Sequence, residues 1–290
     1  MTLSRRDFFK AAGLAIGGAL ITAGPAQAST GEADPNEYAA MLYDATMCVG
    51  CNACTNACRQ WNKTTAELDA RLLYDAPKEL SADTWTMIQL YQGESETSFV
   101  KRQCMHCVSP GCVSGCPVQA LQKTAEGPVT YDQERCIGCR YCMYACPFHV
   151  PRFEWGTAQF PVIAKCTLCA DRLKDGLQTA CAERCPTSAL IFGKRGDLIA
   201  DAEKRISENP ARYVDHLYGK DDAGGTSVMY LSGVPFEKLG LEDLGTTPIP
   251  EISEGTANIL LPGILVGGPI LLGMIRMTAK RGGWEDTWPL

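Results

Sequence analysis

Histidine is nearly absent, with three residues in 290, and there is no surplus of positive charge. The 27 basic side chains are outnumbered by 33 acidic ones, for a net charge of −6. A nucleic-acid partner calls for a basic face, so this balance argues against one. Also missing are a glycine-rich dinucleotide fingerprint, a phosphate-binding loop and a nucleophile elbow. Without them no stretch of the chain marks a nucleotide or substrate site. Two of the histidines, His106 and His149, lie close to cysteines and are read as packing residues or supports behind a ligand, and His216 stands apart. Trp61, Trp85 and Trp155 are read as core or interface residues, while Lys165 and Arg140, beside cysteines, are placed to tune potentials electrostatically but by default read as solvated surface charge.

Cysteine, by contrast, is abundant. The sixteen fall into four sets of four with none left over. The first is Cys48, Cys51, Cys54 and Cys58, and the second Cys104, Cys107, Cys112 and Cys116. The third is Cys136, Cys139, Cys142 and Cys146, and the fourth Cys166, Cys169, Cys181 and Cys185. Pro117, Pro147 and Pro186 follow the last three sets, and Arg59 follows the first. The third set has the bacterial ferredoxin spacing, in which three thiolates serve one iron–sulfur cube and the fourth reaches another. Quartets built this way work in pairs, so sixteen thiolates make four cubes. The prolines are expected at the start of a helix that carries the fourth thiolate away. Disulfides fit poorly, because a small stapled scaffold would be much shorter. Zinc would use two separated Cys-x2-Cys pairs, a form that only the fourth set imitates.

The ends read as a leader and an anchor. Ser4-Arg5-Arg6-Asp7-Phe8-Phe9-Lys10 begins a charged, apolar, then small-residue sequence that stops at Ala26-Gln27-Ala28. That order is a secretory signal peptide over 1–28, of twin-arginine type. Export by that route suits a protein that folds around its cofactors in the reducing cytoplasm. Ile259 to Ile275 carries no charge, with Arg276, Lys280 and Arg281 beyond it, and predicts a single transmembrane helix over 257–276.

Between them the flanks of the quartets repeat. Ala40-Met41-Leu42-Tyr43-Asp44 parallels Pro128-Val129-Thr130-Tyr131-Asp132, and Cys116-Pro117-Val118-Gln119-Ala120-Leu121 parallels Cys185-Pro186-Thr187-Ser188-Ala189-Leu190. Each unit reads as strand, cluster loop, short helix, strand. The expected fold class is therefore α+β, a duplicated bacterial-ferredoxin-like domain over 40–193 with an insertion at 59–100. A C-terminal extension follows over 194–256. Thr84 to Tyr91 and Thr226 to Leu231 predict strands, and Asp197 to Glu208 a helix.

With these residues in view, the chain resembles the HybA-type iron–sulfur subunits of periplasmic, membrane-bound nickel–iron hydrogenases. The stretches that carry the likeness are the leader, MLYDATMCVGCNAC, KRQCMHC, GCRYCMYACPFHVP, the expected C-terminal anchor, and HLYGKDDAGGTSVMYLSGVPFEKL from His216 to Leu239. The four-cluster pattern is shared with the iron–sulfur subunits of formate dehydrogenases and related molybdopterin enzymes. The resemblance implies a non-catalytic electron-transfer subunit with four 4Fe–4S clusters. Its implied partners are the hydrogenase catalytic and small subunits, or a molybdopterin catalytic subunit, and an integral membrane quinone-reactive subunit. It also implies outer quartets paired with each other and inner with inner. On this sequence Cys48, Cys51, Cys54 and Cys185 would then share one cluster, and Cys58, Cys166, Cys169 and Cys181 a second. Cys104, Cys107, Cys112 and Cys146 would share a third, and Cys116, Cys136, Cys139 and Cys142 a fourth. The expected location is the periplasmic side of the cell membrane.

Overall fold

The structure, a computed structural model, describes residues 33–64, 79–94, 96–155 and 163–281. The leader over 1–28 and part of the insertion lie outside the described residues. Nine strands and seven α-helices are found among those described. The strands are β1 (Ala39–Asp44), β2 (Met87–Gln92), β3 (Thr97–Arg102), β4 (Leu121–Lys123), β5 (Val129–Tyr131), β6 (Arg152–Phe153), β7 (Ile163–Ala164), β8 (Leu190–Lys194) and β9 (Val228–Leu231). The helices are α1 (Ala53–Asn62), α2 (Gly111–Ser114), α3 (Tyr141–Tyr144), α4 (Ala170–Lys174), α5 (Ala180–Glu183), α6 (Arg195–Glu208) and α7 (Ile249–Arg281).

Strand pairing shows how the units interleave. β1, before the first quartet, runs antiparallel to β8, after the fourth, from Ala39 opposite Lys194 to Tyr43 opposite Leu190. β4, after the second quartet, runs antiparallel to β5, before the third. Helices follow the same rule: α1 packs on α5, and α2 on α3. One ferredoxin-like half is thus nested inside the other, the outer built from quartets one and four and the inner from quartets two and three.

The outer sheet has a third strand from the C-terminal extension. β9 lies parallel to β1 on its other edge, with Met41 opposite Val228 and Asp44 opposite Leu231. Alternation along β1 fills both faces, as expected of a strand covered on each side. Met41 and Tyr43 join Val228 and Tyr230 in the core facing the cysteine loops. Ala40 and Leu42 join Met229, Leu231, Leu198 and Ala202 beneath α6. Buried Asp44 ties the end of β1 to the extension, accepting hydrogen bonds from Thr46 N (3.0 Å), Thr46 Oγ1 (2.6 Å) and Tyr213 Oη (2.8 Å). The extension therefore completes the sheet.

One expectation needs correction. The prolines stand after helices and do not start them: α2, α3 and α5 each end two residues before the fourth cysteine of their quartet. Proline just beyond a helix end cannot continue it. Where Arg59 replaces it, α1 runs on to Asn62. The expected span over 257–276 falls in the last helix. That stretch is helical within α7, yet among the described residues no helix is long and apolar enough to cross a membrane.

Leu231 is fully buried between the sheet and α6. Leu231→Ala is expected to cost about 2–5 kcal/mol through lost transfer energy and the cavity left behind. A fall of several degrees in the anaerobic thermal unfolding midpoint checks it.

Candidate iron–sulfur site

Each quartet begins with the same local geometry. The residue before its second cysteine has a positive φ: Gly50 at 66°, His106 at 47°, Gly138 at 69° and Leu168 at 56°. That left-handed step curls the loop back, so that Gly50 N, Gly138 N and Leu168 N donate to the sulfurs of Cys48 (3.5 Å), Cys136 (3.4 Å) and Cys166 (3.4 Å). The third cysteine then sits in a helix: Cys54 in α1, Cys112 in α2, Cys142 in α3, Cys181 in α5. The fourth lies one turn on, within α1 for Cys58 and past the helix end for Cys116, Cys146 and Cys185, and these last three close a turn whose last residue again has positive φ: Gln119, His149 and Ser188.

The fold gathers the thiols across quartets. Cys48 has Cys185 and Cys51 as electrostatic neighbours. Cys58 neighbours Cys181 and Cys169, and Cys166 neighbours Cys58, Cys169 and Cys181. Cys107 neighbours Cys146, Cys112 and Cys104. Cys142 neighbours Cys116, Cys136 and Cys139. Four groups result, each drawing thiols from two quartets, outer with outer and inner with inner. The groups also adjoin in series, through Cys54 beside Cys181, Cys166 beside Cys104 and Cys112 beside Cys142. Cys51 and Cys139, in the first and last groups of this file, are the exposed cysteines of the sixteen.

All sixteen are free thiols, with no disulfide. Burial, reinforced by neighbouring thiols, pushes Cys58 and Cys142 up to about 12, and Cys146 and Cys169 to about 11. Such thiols bind as thiolates only when a cation takes the place of the proton. Among the described residues no three histidine, cysteine, aspartate or glutamate side chains converge as they would on a single ion. Thiols near enough to shift one another, gathered from two quartets in each group, suit a cube in which each sulfur meets a different iron. The residues present thus fit 4Fe–4S clusters.

Three lysines are buried among the groups: Lys101, Lys165 and Lys123. Lys101 Nζ donates to Thr86 Oγ1. Burial draws its pKa down, but Cys54, Cys181 and Cys58 outweigh that and hold it above the ordinary value. Lys165 Nζ donates to Val129 O (2.5 Å) and Cys166 O (3.0 Å), and Lys123 Nζ to Cys107 O (2.8 Å). Burial lowers Lys123 to about 8 against the pull of Cys107 and Cys104. The solvated-surface reading of Lys165 is therefore wrong, because the β7 end carries it inside. Arg140 is stacked over Phe153 and Trp155, 4.4 Å from each ring centre. Lys101 escaped sequence reading, though its place between Val100 and a cysteine run was a signal that no solvated strand requires.

The histidines divide. His106 is buried, and its Nδ1 accepts a hydrogen bond from Val129 N at 2.9 Å, which pins the second quartet's loop to β5. Burial, with Lys165 and Lys123 nearby, pushes its pKa well down, so it is neutral. His216 lies in the extension and pairs with Asp222 at 3.1 Å. Trp61 braces α1 against α4, donating to Asp171 at 2.7 Å under the Arg172 guanidinium.

Gly50 illustrates how tightly the loops are set. Its φ is positive, and a β-carbon there would collide with the Phe99 ring of β3. Gly50→Ala is expected to strain the first loop and lower the iron retained per chain, measured by iron analysis of anaerobically purified protein; full retention at wild-type stability would count against this role.

Comparison with known proteins agrees with this geometry. Residues 95–195 match the family described as a 4Fe-4S dicluster domain. A protein of Nitratidesulfovibrio vulgaris is 42% identical over 96% of this chain and 78% of its own length. The hydrogenase-2 operon protein HybA of Escherichia coli is 36% identical over 96% of both chains. The iron–sulfur subunit of the nitrate-inducible formate dehydrogenase of Escherichia coli is 39% identical over 66% of this chain and 67% of its own. With thiol geometry and near full-length likeness in agreement, the chain belongs to the HybA-type family of iron–sulfur electron-transfer proteins.

Proposed function

We propose that this chain is a non-catalytic relay in which sixteen cysteines hold four 4Fe–4S clusters in file, between a nickel–iron hydrogenase and a quinone-linked membrane subunit. The observation that carries the reading is the continuous series of thiol groups, which reaches the surface at Cys51 and Cys139. Cys48, Cys51, Cys54 and Cys185 would hold the first cluster, and Cys58, Cys166, Cys169 and Cys181 the second. Cys104, Cys107, Cys112 and Cys146 would hold the third, and Cys116, Cys136, Cys139 and Cys142 the fourth. A bound 4Fe–4S cluster takes up and returns one electron at a potential set by its surroundings. The chain's own part is to place neighbouring groups side by side, keep water from the inner ones and present one edge of each outer one. Assignment of every cysteine to a group, with no nucleotide or nucleophile motif in the sequence, supports a non-catalytic role.

The two ends differ. α7 starts against α2, where Ser114 Oγ donates to Glu254 Oε1 at 2.6 Å and Gly111 packs on Ile249. α2 in turn packs on α3, beside Cys139 and Cys142. Ile264, Ile270, Leu271, Leu272 and Ile275 of α7 are exposed, and so much apolar surface calls for a cover. In this proposal the membrane subunit covers it and receives electrons at the Cys139 end, while the catalytic partner docks at Cys51. The same reading puts the protein on the periplasmic side of the cell membrane, exported by its twin-arginine leader and held by its C-terminal helix.

Anaerobic affinity purification from native membranes, with elemental analysis, tests the proposal. Iron near 16 per chain is the count for four cubes, and a clear shortfall in fresh material overturns it. Co-eluting nickel supports the hydrogenase partner. Molybdenum or tungsten without nickel moves the relay to a formate-dehydrogenase type of enzyme, the assignment carried by the 39%-identical relatives. Cys51→Ser and Cys185→Ser, far apart in sequence, are expected to alter the same cluster's electron paramagnetic resonance signal; changes in two different signals would refute the pairing.

A further inference from the structure

The interior of this chain holds ammonium groups without carboxylate partners. Lys101 is 0% exposed and Lys165 3%. Among the described residues neither enters an ion pair with a carboxylate. Their hydrogen bonds go to neutral oxygens, Thr86 Oγ1 for Lys101 and the Val129 and Cys166 carbonyls for Lys165. A buried, uncompensated charge costs several kcal/mol, so a counter-charge must lie nearby. The nearby candidates are thiols, and their location is specific. Lys101 faces Cys54, Cys181 and Cys58, the place where the first thiol group adjoins the second. Lys165 faces Cys112 and Cys146 of the third group and donates to the carbonyl of Cys166 in the second, at the place where the second adjoins the third. Two of the three junctions in the file therefore carry a cation that strand geometry fixes in place: β3 holds Lys101, and the chain leaving β7 holds Lys165.

A four-thiolate iron–sulfur cube is anionic, and reduction makes it more so; net charge and solvent exposure both set its potential. Dry anionic cubes in file oppose one another's reduction, most of all where two meet. A positive charge at the junction offsets that repulsion for either neighbour. Resting on the relay reading above, we propose that Lys101 and Lys165 are built-in counter-cations of the relay: each raises the reduction potential of the two clusters it stands between and keeps the inner path open to electrons. They are positioning residues and touch no substrate.

The test is a redox titration of the anaerobically purified full-length chain, followed by electron paramagnetic resonance, on wild type, Lys101→Met, Lys101→Arg and Lys165→Met. Iron per chain is measured first. A wild-type value well short of four cubes sinks the relay reading itself, before any variant is compared. With iron at the full count, Lys101→Met is expected to shift two of the signals to more negative potential, Lys101→Arg to leave them near wild type, and Lys165→Met to shift a different pair that shares one signal with it. Wild-type potentials in fully loaded Lys101→Met overturn the proposal, and so does an equal shift of every signal in both methionine variants. If Lys101→Met fails to retain iron, Lys165→Met decides alone: a shift confined to its neighbouring clusters upholds the proposal, and unchanged potentials refute it.

Discussion

A cysteine run spaced by two residues can offer three sulfurs to one cube and no more, because the third already lies on a helix that carries the next away. Every larger feature follows from that constraint. Each quartet must lend its fourth thiol to a partner and borrow one back, so the quartets have to be brought together in pairs. Strand pairing does this: β1 with β8 for the outer quartets, β4 with β5 for the inner. The left-handed residues Gly50, His106, Gly138 and Leu168 set the starting curl, and the short helices set where the fourth thiol emerges.

The same constraint places charge in the interior. Four gathered thiol groups are stable as ligands only if positive charge enters with them, chiefly the iron. Lys101, Lys123 and Lys165 accompany the groups inside, where ordinary lysines do not go. Their hydrogen bonds to a hydroxyl and to backbone carbonyls hold the ammonium groups in position without neutralising them. Tyr230, buried on β9, donates to Lys101 O at 2.9 Å and meets Tyr43 edge-on at 5.5 Å, so the extension reaches the wall of the cysteine core.

Much of this was legible from residue spacing. The quartets, their repeat and the mixed helix–strand class need only cysteine counting and the flanking echoes of Met41-Leu42-Tyr43 and Val129-Thr130-Tyr131. The helix near Asp197 and the strand near Val228 were visible as periodicity, and are α6 and β9. Less visible were features set by contacts between distant segments. Nothing around Lys165 distinguishes a buried lysine from a solvated one, since its burial comes from Val129 across the fold. The prolines misled because a residue suited to a first turn is equally suited to the place just after a last one. The place of the extension in the sheet was not visible because its β9 pairs with a strand almost at the other end of the chain.

That last pairing has a consequence for synthesis. β1 is made early, yet both its neighbours come late: β8 after every cysteine, and β9 at Val228–Leu231. The inner half can close while the ribosome is still at work, because β4 and β5 are separated by a short turn. The outer half has to wait, holding the first quartet open until the rest of the chain arrives. Closure of the β8-β1-β9 sheet therefore reports that the whole cysteine domain has been made, and a chain truncated before Val228 lacks the strand that signals completion.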